Sequence, residues 1–173
     1  MLRLLNLHPA CRCDAVREIV VEAVRPEPAT LRLRYRVAGA LDGLLMPQPA
    51  SSSRTDGLWQ HTCFEAFLRV GADDGYSEYN FAPSTEWAAY AFASYRSEMR
   101  IIADATLSID VTRSDAALEL TAEIHDLRQE TPWWLALSAV MEETSGRRSY
   151  WALAHPKGKP DFHHSDCFAL ELP

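Results

Sequence analysis

Apolar and polar residues alternate along much of this sequence, as they do in strands with one buried face and one wet face. In the stretch TLRLRYRV, residues 30–37, three arginines alternate with the apolar residues Leu31, Leu33, Tyr35 and Val37. TLSIDV and AALELTAEIH have the same period, so we expect a further apolar set to face the core: Leu107, Ile109, Val111, Leu118, Leu120, Ala122 and Ile124. These stretches are not helical, since a helix repeats its apolar positions every three to four residues.

Other stretches are apolar on both faces, which is typical of central strands or of strands that line a ligand cleft. They are WWLALSAVM, SYWALA and the final CFALEL. With the remaining candidates we count about ten strands and no convincing long helix, a spacing that predicts an all-β antiparallel sandwich. At 173 residues the simplest organisation is one domain, residues 1–173.

Charge and composition argue against several partners. The net charge is −7, with 17 basic and 24 acidic residues, and the basic residues are scattered, so we expect no nucleic-acid partner. No apolar run resembles a membrane span or a signal peptide, which predicts a cytoplasmic protein without a membrane partner. The four cysteines do not form a disulfide framework and are expected to be reduced, and CxC at Cys11 and Cys13 lacks the second ligand pair of a closed zinc site.

The middle of the chain predicts a hairpin followed by a third strand. WQHTCFEAFLRV and YSEYNFA flank the turn-forming ADDG, so a four-residue loop would set Arg69 opposite Glu78 and Glu65 opposite Ala82. APSTEW makes the next turn, and pairing Ala82 with Trp87 would align Asn80 with Ala89.

This register predicts an open polar trough on one face of the sheet. Its polar side chains are Glu65, Arg69, Glu78 and Asn80, its floor is Ala89, Ala91 and Ala93, and its flanking rings are Trp87, Tyr95 and, at one end, Trp59. Carboxylates and amides bond hydroxyl groups and aromatic rings cover C–H faces, so such a trough suits a sugar. The alternative is an ordinary Arg69–Glu78 ion pair beside alanines that another layer covers.

The late stretch HPKGKPDFHHSD, residues 155–166, reads as a loop between two strands because Pro156, Gly158 and Pro160 prevent regular structure. It could lean over the mouth of the sandwich and present Lys157, Asp161 and His163 to a ligand. Alternatively, its polar residues tie the loop down through bonds to its own backbone, or they contribute to a metal site with partners from elsewhere.

The central stretch DGLWQHTCFEAFLRV…GYSEYNFAPSTEWAAYAF resembles the DOMON-like superfamily, which includes family-nine carbohydrate-binding modules. SYWALAHPKGKPDFHHSDCFALEL resembles a bacterial DOMON-like group that has no known activity to transfer. The resemblance implies a β-sandwich of jelly-roll type with ligand on a concave face or at a sandwich edge. It also implies that Glu65 and Glu78 stand where those modules hydrogen-bond sugar.

Two further functions stay open. Other members of the superfamily bind haem b through an axial Met and His, and here Met46 or Met99 could pair with His155 or His163, although no CxxCH attachment signal is present. Glu65 and Glu78 could form the carboxylate pair of a glycoside-processing enzyme. No nucleophile elbow, phosphate loop or HExxH motif occurs, so we expect a non-catalytic binding module for a sugar or a sugar-containing ligand, with no cofactor predicted.

Overall fold

A computed structural model describes residues 1–173 and consists of antiparallel strands, as predicted for an all-β protein. The strands are β1 Leu2–Leu7, β2 Val16–Glu27, β3 Thr30–Gly39, β4 Cys63–Val70, β5 Tyr76–Phe81, β6 Trp87–Phe92, β7 Arg100–Ile101, β8 Leu107–Arg113, β9 Ala117–Ile124, β10 Trp133–Glu142, β11 Arg148–Ala152 and β12 Leu170–Leu172. Three short 3₁₀ helices cover Leu41–Gly43, Leu58–Gln60 and Ser165–Cys167. None of these helices has the length and apolar character needed to cross a membrane.

The strands form one continuous sheet that curls back on itself. Eleven of them follow the order β7-β6-β5-β4-β10-β11-β1-β2-β3-β9-β8, and β12 pairs with β10 beside β11. Five pairings separate β3 from β4 along that path, yet the rings of Tyr35 and Phe64 lie 4.9 Å apart between centroids. The Tyr35 hydroxyl also donates to the carbonyl oxygen of Glu65 at 2.8 Å. The two halves of the sheet therefore face each other across a shared core.

The alternating stretches supply that core. All the apolar residues of TLRLRYRV are buried, and the arginines between them point to solvent, where Arg32 and Arg36 pair with Glu123 and Glu119 on β9. Leu118, Leu120 and the other inward positions of β9 belong to the same main core cluster. The predicted direction of these side chains is confirmed.

A second apolar cluster covers the opposite face of β4, β5, β6, β10 and β11. It comprises Phe67, Tyr76, Ala88, Tyr90, Phe92, Ala136, Val140, Ala152, Phe162, Cys167 and Phe168. The last three belong to residues 154–169, which connect β11 to β12 and are called the C-terminal segment below. One face of the sheet packs on the main core and the other carries this segment.

The C-terminal segment begins and ends beside the same strand. Ala152 pairs with Ser138 and Leu170 pairs with Leu135, so both ends adjoin β10 three residues apart, as in an Ω-loop. Every backbone–backbone hydrogen bond made by the segment stays within it, for example the bonds from Cys167 N–H to His164 and from His164 N–H to Asp161. Side chains alone therefore hold it on the sheet.

Candidate functional site

The hairpin of β4 and β5 brings the two predicted carboxylates to one face, with a different register from the one predicted. Glu65 pairs with Asn80 and Phe67 with Glu78, so the expected pairs Glu65–Ala82 and Arg69–Glu78 are wrong by two residues. The turn begins earlier than expected because Gly71 adopts the left-handed conformation (φ 62°) and the Asp73 N–H bonds the Val70 carbonyl. A slip of two residues preserves the face of every side chain.

The pairing of β5 with β6 differs from the prediction by one residue, and this slip exchanges the faces. Asn80 pairs with Ala88, not with Ala89, because the turn from Ala82 to Glu86 contains Thr85 at φ 78°. Ala89 and Ala91 therefore do not floor the site, and Ala93 lies in line with them beyond the end of β6. Trp87 likewise packs against the main core, and the site carries Ala88, Tyr90 and Phe92 instead.

Four polar side chains on β4, β5 and β10 form what we call the polar cluster: Glu65, Glu78, Asn80 and Ser138. The Asn80 amide donates to Glu78 Oε1 at 2.7 Å, and the Ser138 hydroxyl donates to Glu65 Oε2 at 3.3 Å. Glu65 is only 4% exposed, Glu78 6% and Asn80 0%. The expected open trough is therefore closed in this structure.

Burial controls the protonation of both glutamates. It raises the pKa of Glu65 to about 8, and the neighbouring charge of Glu78 adds to the shift. Burial also raises the pKa of Glu78, although the bond from Asn80 opposes that change. Glu65 thus keeps its proton at neutral pH, so that two adjacent buried carboxylates do not have to be charged together.

Next to the polar cluster, three aromatic rings and the Glu78 carboxyl bound a space that we call the ring pocket. Tyr76 and Phe92 are stacked at 5.0 Å with an interplanar angle of 15°, and Phe67 lies 6.3 Å from Tyr76. The imidazole of His163 fills the space, with centroid distances of 5.0 Å to Phe67, 5.8 Å to Tyr76 and 5.1 Å to Phe92. The C-terminal segment therefore inserts one side chain into an aromatic cage.

Hydrogen bonds define the tautomer of that imidazole. The Arg96 N–H donates to the Tyr76 oxygen at 3.1 Å, which leaves the Tyr76 hydroxyl free to donate to His163 Nδ1 at 2.8 Å. The proton of a neutral imidazole is then on Nε2, which faces Glu78 Oε2 at 3.6 Å. Burial, together with the nearby Arg96 charge, lowers the pKa of His163 to about 4, so the ring is neutral at pH 7.

Asp161 attaches the segment to the loop that follows β6. Its carboxylate accepts from the Tyr95 hydroxyl at 2.6 Å and from the Arg96 guanidinium at 2.8 Å. The same carboxylate accepts the backbone N–H of His163 at 3.2 Å, which forms the kind of local turn that the sequence allows as one alternative for this loop. Asp161, His163 and Tyr95, all candidate site residues, thus belong to one connected arrangement.

The remaining candidates lie apart from the polar cluster. Arg69 does not pair with Glu78; its guanidinium lies 5.1 Å from the ring centre of Phe168, and its Nε is buried without a partner. Trp59 lies on the 3₁₀ helix Leu58–Gln60 and is 51% exposed, while Lys157 is exposed in the C-terminal segment. Binding roles for these residues stay predictions.

The candidate haem ligands lie in different surroundings. Met46 packs against the main core and Met99 is exposed. His155 Nε2 bonds the Asn6 carbonyl oxygen at 2.8 Å, and its ring lies 4.8 Å from that of His8. No three His, Cys, Asp or Glu side chains are grouped so that they could hold a metal ion.

A cleft of about 540 Å³ opens at the end of the molecule near the β4–β5 turn, and we call it the end cleft. Apolar side chains such as Leu68, Tyr79 and Leu127 line it together with charged ones, among them Asp74, Arg100 and Asp126. No sequence pattern predicts this cleft, because three separate connections contribute to it. The rings of the ring pocket were also missed, although strand parity places Phe67 on the face of Glu65 and Tyr76 on the face of Glu78.

Fold and site together define an all-β protein with a buried polar and aromatic cluster on one sheet face. No family model matches the sequence. No curated protein matches it either. The chain is similar to the crystal structure, at 2.70 Å resolution, of a "putative carbohydrate-binding protein" from Bacteroides uniformis ATCC 8492, with a TM-score of 0.63 and 13% identity over 97% of this chain and 83% of the other. At this identity the likeness establishes a shared fold.

Proposed function

We propose that this protein is a non-catalytic binding module of the DOMON-like type and that its ligand is a sugar or a sugar-containing small molecule. The fold is shared with the "putative carbohydrate-binding protein" of Bacteroides uniformis. The central stretch resembles family-nine carbohydrate-binding modules, in which the positions of Glu65 and Glu78 bond sugar hydroxyls. The two facing halves of the curled sheet correspond to the layers of a jelly-roll sandwich in this proposal.

One observation carries the proposal: the polar cluster and the ring pocket adjoin each other on the same sheet face. Phe67 pairs with Glu78, which in turn pairs with Tyr90, and Glu65 pairs with Asn80 one row further along the strands. Carboxyl and amide groups bond sugar hydroxyls, and aromatic rings pack on the C–H faces of a sugar ring. The raised pKa of Glu65 means that burying this carboxyl group costs stability at neutral pH, which favours a role in binding over a role in folding.

The two glutamates do not by themselves indicate glycoside hydrolysis. A glycosidase needs one protonated and one ionised carboxyl group with room for the substrate between them, whereas Glu65 and Glu78 are almost fully buried and are bonded by Ser138 and Asn80. Burial raises the pKa of both carboxyl groups, that of Glu65 to about 8. A carboxyl group bonds sugar hydroxyls in either state, as donor and acceptor when protonated and as acceptor when ionised.

A thermal-shift screen with monosaccharides, oligosaccharides and sugar nucleotides tests the proposal. A ligand at 100 times its Kd stabilises the folded state by about 2.7 kcal/mol, which gives a measurable rise in Tm. We expect Glu78→Gln to weaken the apparent affinity for the saccharide at least tenfold, and so to reduce the rise in Tm at a given concentration. The reason is that the neutral amide cannot accept hydrogen bonds on both of its polar atoms. Glu119→Gln is the matched control, since Glu119 lies on the solvent face of β9.

Two results would contradict the proposal in different ways. If no saccharide changes the Tm of the wild-type protein, the sugar ligand is wrong. If a saccharide effect survives in Glu78→Gln and disappears in Arg100→Ala, the ligand binds in the end cleft and the assignment of the site is wrong.

A further inference from the structure

We infer that the ring pocket is the subsite for a single uncharged sugar ring and that His163 occupies it as a competitor supplied by the chain itself. This inference rests on the proposed function and assigns the part of the site that holds the sugar ring. The C-terminal segment must then leave the sheet face before the ligand binds.

The environment of His163 is that of a bound ligand. Three rings surround the imidazole at centroid distances of 5.0 to 5.8 Å, a hydroxyl bonds one of its nitrogens, and a carboxyl faces the other. The Tyr76 hydroxyl and the Glu78 carboxyl would both lose their contact with His163 if the segment withdrew. Sugar hydroxyls could take up both contacts, and a sugar ring would replace the imidazole between the aromatic faces.

The attachment of the segment allows such a withdrawal. None of its backbone groups joins the sheet ladder, so lifting residues 154–169 breaks no strand pairing. Its ends stay anchored because β11 and β12 both pair with β10. The contacts that must be broken are the apolar packing of Phe162, Cys167 and Phe168, the side-chain bonds of Asp161 and His163, and the bond between His155 and the Asn6 carbonyl oxygen.

The groups that bound the ring pocket favour an uncharged sugar ring. They are three aromatic rings and the carboxyl group of Glu78, so the carboxylate of a sugar acid would lie beside another carboxyl group and between ring faces that offer it no hydrogen bond. The imidazole that now fills the ring pocket is itself neutral. A neutral monosaccharide, or the terminal residue of a short oligosaccharide, therefore fits better than a sugar acid or an internal residue of a long polymer.

Matched substitutions at two neighbouring histidines test the inference. His163→Ser empties the ring pocket, whereas His164→Ser removes an imidazole from the same segment but keeps a side-chain oxygen for the N-cap of the helix Ser165–Cys167. We expect His163→Ser to bind a neutral monosaccharide at least tenfold more tightly than the wild type, because the competitor is gone. His164→Ser should bind like the wild type.

A second measurement needs no sugar. Free imidazole should raise the Tm of His163→Ser by filling the ring pocket and should leave the Tm of the wild type and of His164→Ser unchanged. Hydrogen exchange should be faster in residues 154–169 than in β10. It should be faster still in Asp161→Ala, which removes the bonds of the segment to Tyr95 and Arg96 and keeps the four side chains that bound the ring pocket. Asp161→Ala should also bind sugar more tightly, and it serves as the test if His163→Ser does not fold.

The outcomes separate this inference from the proposed function. If wild-type protein binds sugar and neither His163→Ser nor Asp161→Ala binds it more tightly, the competitor role of His163 is wrong while sugar binding stands. If imidazole does not affect His163→Ser, or the segment exchanges only together with β10, the ring pocket is not a releasable binding site. If imidazole binds but no variant binds any sugar, the sugar ligand is wrong.

Discussion

Replacing Glu65 by glutamine should stabilise the protein by an amount that grows as the pH rises. The pKa of Glu65 is raised from 4.5 to about 8 by burial and by Glu78. The folded protein therefore holds a proton that the unfolded chain releases at any pH between these values. The stability contributed by this bound proton is complete below pH 4.5. It is lost progressively as the pH rises from 4.5 through 8. Glutamine is neutral at every pH and has no such dependence.

The size of the effect follows from proton linkage. One pH unit corresponds to about 1.36 kcal/mol for one proton, so the advantage of Glu65→Gln should grow by about 2.5 kcal/mol between pH 5 and pH 7. The substitution preserves side-chain shape, and its amide oxygen can still accept from the Ser138 hydroxyl. At pH 4.5 and below, the two proteins should differ little.

Urea denaturation followed by tryptophan fluorescence at pH 5, 6, 7 and 8 would measure the free energy of unfolding of both proteins. Glu119→Gln provides the control, because that carboxylate lies on the solvent face opposite Arg36 and should show no rising advantage. A difference between Glu65→Gln and wild type that stays constant over the whole pH range would refute a buried, protonated Glu65.

Three further substitutions test the core and the surface by urea denaturation at pH 7. Tyr35→Phe should cost about 1 to 2 kcal/mol, because it removes the donor to the Glu65 carbonyl; no loss would place the Tyr35 hydroxyl in water. Leu120→Ala should cost about 2 to 5 kcal/mol, since the side chain is fully buried, and a smaller loss would argue against a close-packed core. Arg36→Ala should change stability by less than about 1 kcal/mol, because its pair with Glu119 is exposed; a large loss would contradict that view of the sheet face.

Much of the strand content could be predicted from the sequence, because alternation is a local property. In TLRLRYRV the side chains of Leu33 and Tyr35 must point away from those of the arginines, whatever the rest of the chain does. The apolar run WWLALSAVM likewise predicted a central strand, and β10 pairs on both sides, with β4 and with β11 and β12. That Glu65 and Glu78 share a face also follows from parity once the two strands form a hairpin.

Strand register was harder to predict from the sequence, because the conformation of a single turn residue determines it. Gly71 shifted the first hairpin by two residues, which left Glu65, Glu78 and Asn80 together. Thr85 lies in a turn that shifted the second pairing by one residue, which sent Trp87 and Ala89 to the core side. A left-handed backbone conformation is rare in residues other than glycine, so the sequence APSTEW does not predict it.

Whether the polar face is open was decided by the tertiary structure alone. Residues 154–169 are about 90 positions from β4 in the chain, yet they cover its outer face and insert His163 between Phe67, Tyr76 and Phe92. Periodicity determines which side of a strand each residue occupies, because it follows from backbone geometry over a few residues. What packs against that side depends on contacts between distant parts of the chain, and no local sequence pattern predicts those contacts.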